Sequence, residues 1–139
     1  KGIEAKTGSI ERQPGHVTDI MATCVDIAGA EYPDTYQGNK IIPMEGVSLL
    51  PLFRGEKLPS RSIFYEHMTG AGLREGDWKI VKLSGNNTTF NDTPWRLYNL
   101  ASDRTERKDL SGEHPEKFKE MKKKWQKRAE ALKVFPLPQ

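Results

Sequence analysis

Basic side chains follow residues 72–100 in a pattern that suits the binding of an anion. Arg74 and Lys79 stand on either side of a short polar stretch, and Arg96 comes after a longer one. The pattern indicates β-strands around a polar loop, which would space the basic groups along one rim of a small sheet. Because guanidinium and ammonium groups bind anions through charge-assisted hydrogen bonds, these residues predict a place that holds a charged ligand.

The same sequence holds no complete set of catalytic residues. It lacks the P-loop, GxGxxG, HExxH and GxSxG motifs. His16, His67 and His114 are far apart and lack the spacing of metal ligands, and no serine or cysteine stands near a histidine and an acid. The single cysteine, Cys24, excludes an internal disulfide and a multi-cysteine zinc site. We therefore predict no catalytic and no metal-binding residue in this chain, and no independent hydrolase.

Length and charge indicate one domain, or one small domain plus an edge borrowed from a neighbour, with a basic end. The chain has 139 residues and a net charge of +3, enough for one hydrophobic core. It has no apolar run near the roughly 20 residues that span a bilayer, and its start at Lys1 without methionine suggests a processed or truncated product. The basic residues concentrate near the C-terminus, at Lys117, Lys119, Lys122, Lys123, Lys124, Lys127, Arg128 and Lys133.

The N-terminal third predicts one helix followed by a long loop. Apolar residues from Val17 onward recur at three- and four-residue steps, as on a buried helix stripe. Thr18 or Asp19 is the predicted cap and Gly29 the predicted end, while Cys24 on the stripe is interpreted as a small core residue. Residues 32–61 are irregular and rich in proline and glycine. A loop of this length typically wraps over a larger body.

The remainder predicts an antiparallel meander packed on a helix. Strand-like segments cover 62–67, 72–74, 78–83 and 95–100, and the spacings between them are short. A polar excursion at 86–93 holds N-x-[ST] sequons at Asn86, Asn87 and Asn91. Pro115 suits the first turn of a final helix. The apolar stripe of that helix consists of Phe118, Met121, Trp125, Ala129 and Leu132. The predicted fold class is α+β, with about four strands against a C-terminal helix.

Five segments in order resemble the C-terminal part of the sulfatase (arylsulfatase) family. HVTDIMATCVDIAGA at 16–30 is similar to the family's D-[IL]-x-P-T-L-L-D-L-A-G, and EGVSLLPLFRG at 45–55 to its D/E-G-x-S-L-L-P-L-L-x-G. FYEH at 64–67, LREGDWK at 73–79 and LYNL at 97–100, continuing to Asp109 and Leu110, follow in the family's order. Ala22 and Cys24 replace the usual proline and leucine.

The resemblance implies a chain that lacks the chemical centre of its enzyme. Sulfatases oxidise the first residue of C/S-x-P-S-R to formylglycine, but this chain has KLPSR at 57–61, and Lys57 cannot become that aldehyde. The formylglycine, the Ca²⁺ ligands and most sulfate-contacting residues would precede Lys1. Residues 1–31 would then end an alkaline-phosphatase-like α/β domain, 32–61 would be a wrapping linker, and 62–139 the C-terminal subdomain. The parent would be periplasmic or secreted.

His67 and Arg74 are the candidate substrate-binding residues. A sulfated glycan is anionic and hydroxylated, so a rim of such side chains suits it chemically. The resemblance implies that the Glu66–His67 pair ends a strand near the substrate cleft shared with the upstream catalytic domain. A hydrogen-bonded structural histidine and an Arg74–Glu66 salt bridge are the alternatives.

Two other functions remain open from the sequence. A free-standing basic module would use the C-terminal lysines to bind sulfated glycan or another polyanion, and a small interaction domain would bind no ligand. Nucleic acid is not an expected partner, because the aromatic residues of the last helix lie on the stripe opposite its lysines.

Overall fold

The computed structural model describes Gly8, residues 10–83 and residues 94–134 of the chain. Its contacts divide the chain into two compact units, Lys1–Pro59 and Ser60–Gln139. The domain boundaries expected at residues 31 and 61 stay predictions. The sequons at Asn86, Asn87 and Asn91 lie outside the described residues.

The first unit is built on helix α1, Thr18–Ala28. Gly29 ends the helix in the left-handed conformation, with φ +59°, and its amide donates to the Asp26 carbonyl at 3.0 Å. The helix end predicted at Gly29 is confirmed. The predicted cap is wrong, because Thr18 and Asp19 lie inside the helix and the residue at the cap position is Val17; the His16 Nδ1 accepts the Thr18 amide at 3.4 Å.

Helix α1 turns its apolar stripe outward. The side chains that it buries are Asp19, Ala22 and Thr23. The exposed fractions of the stripe are 71% for Val17, 61% for Ile20, 57% for Met21 and 61% for Ile27. Cys24 is exposed too, so its interpretation as a core residue is wrong in this chain. The predicted period is right, but no described residue of the first unit covers the stripe.

A buried carboxylate joins α1 to the loop at 46–49. Asp19 is fully buried, and its two oxygens accept the amides of His16 at 2.7 Å and Val47 at 3.0 Å. One turn later the Thr23 hydroxyl donates to the Asp19 carbonyl at 2.6 Å and accepts the Leu49 amide at 2.9 Å. These bonds explain why polar residues occupy the buried side of the helix, since buried polar groups need partners.

The loop predicted to be irregular contains two short ordered elements. Strands β1, Thr35–Tyr36, and β2, Asn39–Lys40, form an antiparallel hairpin whose turn residues Gln37 and Gly38 have φ of +48° and +79°. Positive φ at both central residues is typical of the tight turn that suits strand twist. Helix α2, Leu50–Phe53, is a single half-buried turn.

The second unit is a four-stranded antiparallel sheet with one long helix. Its strands are β3, Ser62–His67; β4, Gly70–Glu75; β5, Trp78–Lys82; and β6, Arg96–Asn99, in the spatial order β3-β4-β5-β6. Helix α3, Pro115–Ala131, begins with proline in its first turn. The α+β fold predicted from the sequence is confirmed.

The core lies between α3 and one face of the sheet. Met121, Trp125 and Ala129 are buried on the helix and contact Leu73 and Ile80 within one cluster. The helix stripe predicted from the sequence is confirmed at these positions, while Phe118 is partly buried and Leu132 is 39% exposed. Large apolar side chains at this interface supply most of the unit's stability, since burial of apolar area is the main favourable contribution to folding.

Two aspartates shape the segment after β6. Asp109 accepts the amides of Leu97 at 3.0 Å and Ser111 at 2.9 Å. Burial acts to raise the pKa of Asp109, but these backbone bonds outweigh it and hold the pKa below its usual value of 3.8. Asp103 accepts the Lys108 amide at 2.9 Å, a bond that lowers the pKa of this carboxyl as well. Both residues therefore have structural roles in the described chain.

Candidate functional site

The candidate site lies on the face of the sheet opposite α3, which we call the distal face. Side chains alternate between the two faces of a strand, and the strand register places Ile63, Arg74, Lys79 and Tyr98 in one row across the sheet. The full set on the distal face is Ile63, Tyr65, His67, Gly70, Gly72, Arg74, Lys79, Val81, Arg96 and Tyr98. Ile63 and Tyr98 are buried, whereas His67 and Arg96 are exposed.

His67 is the last residue of β3 and lies beside a strained turn. It pairs with Gly70 across the two-residue turn Met68–Thr69. Met68 has φ +54° and is 68% exposed. Positive φ is uncommon for a residue that is not glycine, and such strain recurs at functional sites. The sequence predicts a break between strands at 68–71, but it does not predict the two-residue length of the turn, because Met68–Thr69 contains neither the glycine nor the asparagine that usually marks such turns.

Arg74 lies near the end of β4, beside the β4–β5 turn. It is half-buried, and its Nε donates to the Gly76 carbonyl at 3.0 Å in the β4–β5 turn. The alternative salt bridge to Glu66 is wrong, because Glu66 pairs with Ala71 and so lies on the α3 face of the sheet. Arg74 therefore makes a structural hydrogen bond, and its contact with a substrate stays a prediction.

The two predicted site residues share a face but are not brought together. Gly70, the partner of His67, lies four residues before Arg74 on β4, a backbone separation of roughly 14 Å at about 3.4 Å per residue. The Arg74 Nε is bonded to Gly76, at the end of β4 farther from His67, so the two side chains do not converge on one point. A ligand that reaches both must extend along the strand.

Between His67 and Arg74 lies a row of four residues that was not predicted as part of the site. Tyr65, Gly72, Val81 and Arg96 lie side by side across the four strands. Tyr65 is 38% exposed, and a Cβ on Gly72 would lie 3.5 Å from its ring, so the tyrosine covers the glycine. Period-two alternation along 62–67 was the available signal, because it places Tyr65 and His67 on one side. Tyr65 and Arg96 add an aromatic surface and a positive charge to the candidate site.

Lys79 forms an ion pair with Glu106, so its charge is not available to the predicted cationic rim. Its Nζ lies 2.6 Å from Glu106 Oε1, and both side chains are about three-quarters buried. A carboxylate at this distance compensates the charge of the ammonium group. The cations of the distal face without an ion pair in the described chain are Arg96, whose charge also acts on Asp109, and the part of the Arg74 guanidinium that the turn does not use.

The described residues contain neither a metal-binding cluster nor a membrane-spanning helix. Among residues 10–83 and 94–134, no three histidine, cysteine, aspartate or glutamate side chains cluster closely enough to hold a metal ion. Within the same residues, no helix has the length and apolar character needed to cross a membrane. The distal face offers side chains that can contact a ligand, and the catalytic residues of this chain stay a question of prediction.

Comparison with known proteins links this fold to enzymes of one kind. No protein-family model matches the chain. A solved structure of BT4656 in complex with its substrate D-glucosamine-2-N,6-O-disulfate is 21% identical with a TM-score of 0.58, covering 86% of this chain and 24% of that one. Ps i-CgsB in complex with k-i-k-neocarrahexaose is also 21% identical at 0.58, covering 80% and 23%. BT33336S-sulf, from Bacteroides thetaiotaomicron, is 18% identical at 0.56, covering 78% and 24%.

These structural neighbours are sulfatases. At such identities the likeness establishes the fold, and the resemblance found in the sequence is confirmed at that level. The chain spans about a quarter of the length of the solved proteins that it matches.

Proposed function

We propose that this chain is the C-terminal part of a sulfatase, an enzyme that hydrolyses sulfate esters of sulfated glycans or of aryl sulfates. The observation that carries the proposal is the likeness to sulfatases over 86% of this chain and only 24% of the neighbour. The five sequence segments in family order support the same conclusion. In this proposal the chain contributes packing and a substrate-facing rim, while the reacting groups belong to the rest of the enzyme.

The outward stripe of α1 supports a larger parent protein. Four large apolar side chains that are 57–71% exposed on one helix face form a patch that monomeric domains ordinarily cover. In the parent, we infer, the upstream catalytic domain packs on Val17, Ile20, Met21, Cys24 and Ile27. Helix α1 would then be buried on both sides, by the loop at 46–49 that Asp19 and Thr23 bind and by the upstream domain.

Reactivity of Cys24 tests this packing. In the parent protein, Cys24 is expected to react with a thiol reagent more than about tenfold slower than an exposed cysteine, since each 1.4 kcal/mol of opening free energy slows labelling tenfold. The difference between the unsubstituted protein and Cys24→Ser isolates this thiol from any others. Lys122→Cys in the Cys24→Ser background supplies the exposed reference on α3. Equal labelling rates for the two positions would show that nothing covers the stripe.

The formylglycine and Ca²⁺ implied by the resemblance do not fit this chain. The described residues hold no cluster of metal-ligating side chains, and Lys57 stands at the position of the oxidised residue in KLPSR. We therefore assign both to the preceding part of the parent. A periplasmic or secreted location for the parent is inferred from the resemblance.

His67 is the residue that we assign to substrate contact. The neighbours are in complex with D-glucosamine-2-N,6-O-disulfate and with k-i-k-neocarrahexaose, and we infer a sulfated saccharide for this chain too. An exposed imidazole at the end of β3, beside Tyr65, can donate a hydrogen bond to a sulfate oxygen or a hydroxyl. Arg96 and Arg74 would add charge along the same face.

Kinetics of His67→Ala in the parent test this role. We expect kcat/KM for a small sulfate ester to fall roughly 10–150-fold, equivalent to about 1.5–3 kcal/mol for a hydrogen bond to a charged group, with an unchanged melting temperature. His114→Ala, at the other histidine of the second unit, is the control and should leave the kinetics unchanged. Parallel losses of activity and melting temperature would make His67 structural. No hydrolysis by the unsubstituted parent would contradict the sulfatase proposal itself.

A further inference from the structure

The lysines of α3 fall into two groups according to their partners. Lys124 Nζ lies 2.6 Å from Glu75 and 2.7 Å from Glu120, and Lys117 lies 3.7 Å and 3.1 Å from the same two residues. The bond from Lys124 lowers the pKa of Glu75, against a smaller opposing effect of burial. These two lysines therefore fix the helix to β4, and their charges are compensated.

Three other lysines form a row outside these ion pairs, with the exposed Glu116 and Glu130 three residues away from Lys119 and Lys127 on the same helix. Lys119, Lys123 and Lys127 are exposed and succeed one another at four-residue steps, so they share one side of α3. At about 1.5 Å per residue the row, which we call the lysine row, is roughly 12 Å long. None of the three forms a salt bridge with a carboxylate of the described chain. Lys122, with Nζ 5.4 Å from the Phe118 ring, lies beside the row.

The row is held rigidly and faces away from the distal face. Met121, Trp125 and Ala129 bury the opposite side of the helix against the sheet, and the ion pairs of Lys117 and Lys124 with Glu75 anchor its first turn and its middle. A row fixed on a packed helix loses less conformational entropy on binding than charges on a mobile tail. It also lies on the opposite side of the sheet from His67, so it is separate from the candidate site.

The surroundings of the row favour one class of anion. Single-stranded nucleic acids bind by stacking their bases on exposed aromatic rings as well as by charge. The aromatic residues of α3 do not serve this purpose, because Trp125 is 1% exposed and Phe118 is partly buried in the core. A flexible chain with closely repeated sulfate groups needs no stacking, and evenly spaced ammonium groups suit it.

We propose that the lysine row is a docking site for a sulfated polysaccharide, remote from the residues that contact the scissile ester. The row would hold part of a polymeric substrate and so raise its local concentration at the enzyme. The charge arrangement stands by itself, while the choice of sulfated polysaccharide rests on the proposed function.

Binding to heparin, a sulfated polysaccharide, tests the row directly. We expect Lys119→Gln, Lys123→Gln and Lys127→Gln together to lower the slope of log K against log salt by about 2–3, since each released counterion contributes roughly 0.7–0.9 in nucleic acids. Glutamine has nearly the helix propensity of lysine, so the melting temperature should be kept. The control, Lys40→Gln, Arg54→Gln and Lys57→Gln, removes the same charge from exposed positions of the first unit and should leave the slope nearly unchanged.

Three binding results would overturn the proposal. These are no change in the slope, an equal change in the control variant, and oligonucleotide binding as tight as heparin binding with the same dependence on the row. In the parent enzyme, kcat/KM should fall for a polymeric sulfated substrate and stay constant for a monosaccharide sulfate. Equal losses for both substrates would also overturn it. Absence of activity toward the monosaccharide in the unsubstituted parent would count against the sulfatase proposal, which keeps the two failures distinct.

Discussion

Replacing Trp125 by alanine is expected to lower the free energy of unfolding of the second unit by about 3–5 kcal/mol. The indole is 1% exposed, stacks on Phe64 with ring centroids 5.5 Å apart, and meets Trp95 edge-on at 5.1 Å. Its Nε1 donates to the Tyr65 carbonyl at 3.2 Å. The substitution would open a cavity at the centre of the helix–sheet interface and leave that carbonyl without this donor, so several costs combine at one position.

Urea unfolding followed by circular dichroism measures this loss. Gln126→Ala, one residue further along α3 and exposed, should change the free energy of unfolding by less than about 0.5 kcal/mol. Trp125→Phe should lie between the two, because it keeps an aromatic ring but removes the indole N–H. An unchanged midpoint for Trp125→Ala would contradict the packing of α3 on the sheet.

Replacing Gly46 by alanine is expected to disrupt the junction between α1 and the loop. Gly46 has φ +93°, and a Cβ there would lie 2.5 Å from the Thr18 carbonyl oxygen. Backbone strain and overpacking together give a cost of about 2–6 kcal/mol. Because the atom in the way belongs to the helix backbone, no side chain can rotate to make room, and the loop must move away from Asp19.

Amide hydrogen exchange at Val47 and Leu49 reports the junction locally, since these amides donate to Asp19 and Thr23. Both should exchange faster in Gly46→Ala. Gly55→Ala is the matched control, because Gly55 also has positive φ, +75°, but nothing within 4 Å of the added Cβ. It should leave exchange at Val47 and Leu49 as it is, and similar acceleration by both variants would refute the steric explanation.

The second unit was the more predictable part of the fold. Apolar and polar residues alternate along its strands, and its helix carries a regular apolar stripe. The interactions that determine the strands and the helix lie within the unit. Trp125 is buried, as expected, on the stripe opposite the lysines. The exact turns were harder, because the Met68–Thr69 turn has a residue with positive φ where glycine or asparagine would have been the signal.

Helix α1 shows where periodicity stops being informative. The three- and four-residue steps correctly gave a helix with one apolar side, but they do not say which side the rest of the chain covers. Asp19 and Thr23 decide this, because each bonds a backbone amide more than 25 residues away, and such bonds leave no local pattern. The candidate site had the same difficulty: His67 and Arg74 share a face, yet only the register shows their separation and the Tyr65 row between them.

The Leu97 amide of β6, which donates to Asp109, affects how the protein behaves in solution. An edge strand with free amides is a template on which another chain can add a strand, which is a common route to aggregation. Asp109 occupies the Leu97 amide, and the Leu110 amide donates to the Leu97 carbonyl at 2.8 Å, so this stretch of edge has no bonds to offer an incoming strand. The pKa of Asp109 is held below 3.8, so the contribution is complete above that value and is lost as the pH falls through the lowered one. Protonation of Asp109 in acid would therefore weaken the cover on the Leu97 amide, while the Leu110 amide would still occupy the Leu97 carbonyl.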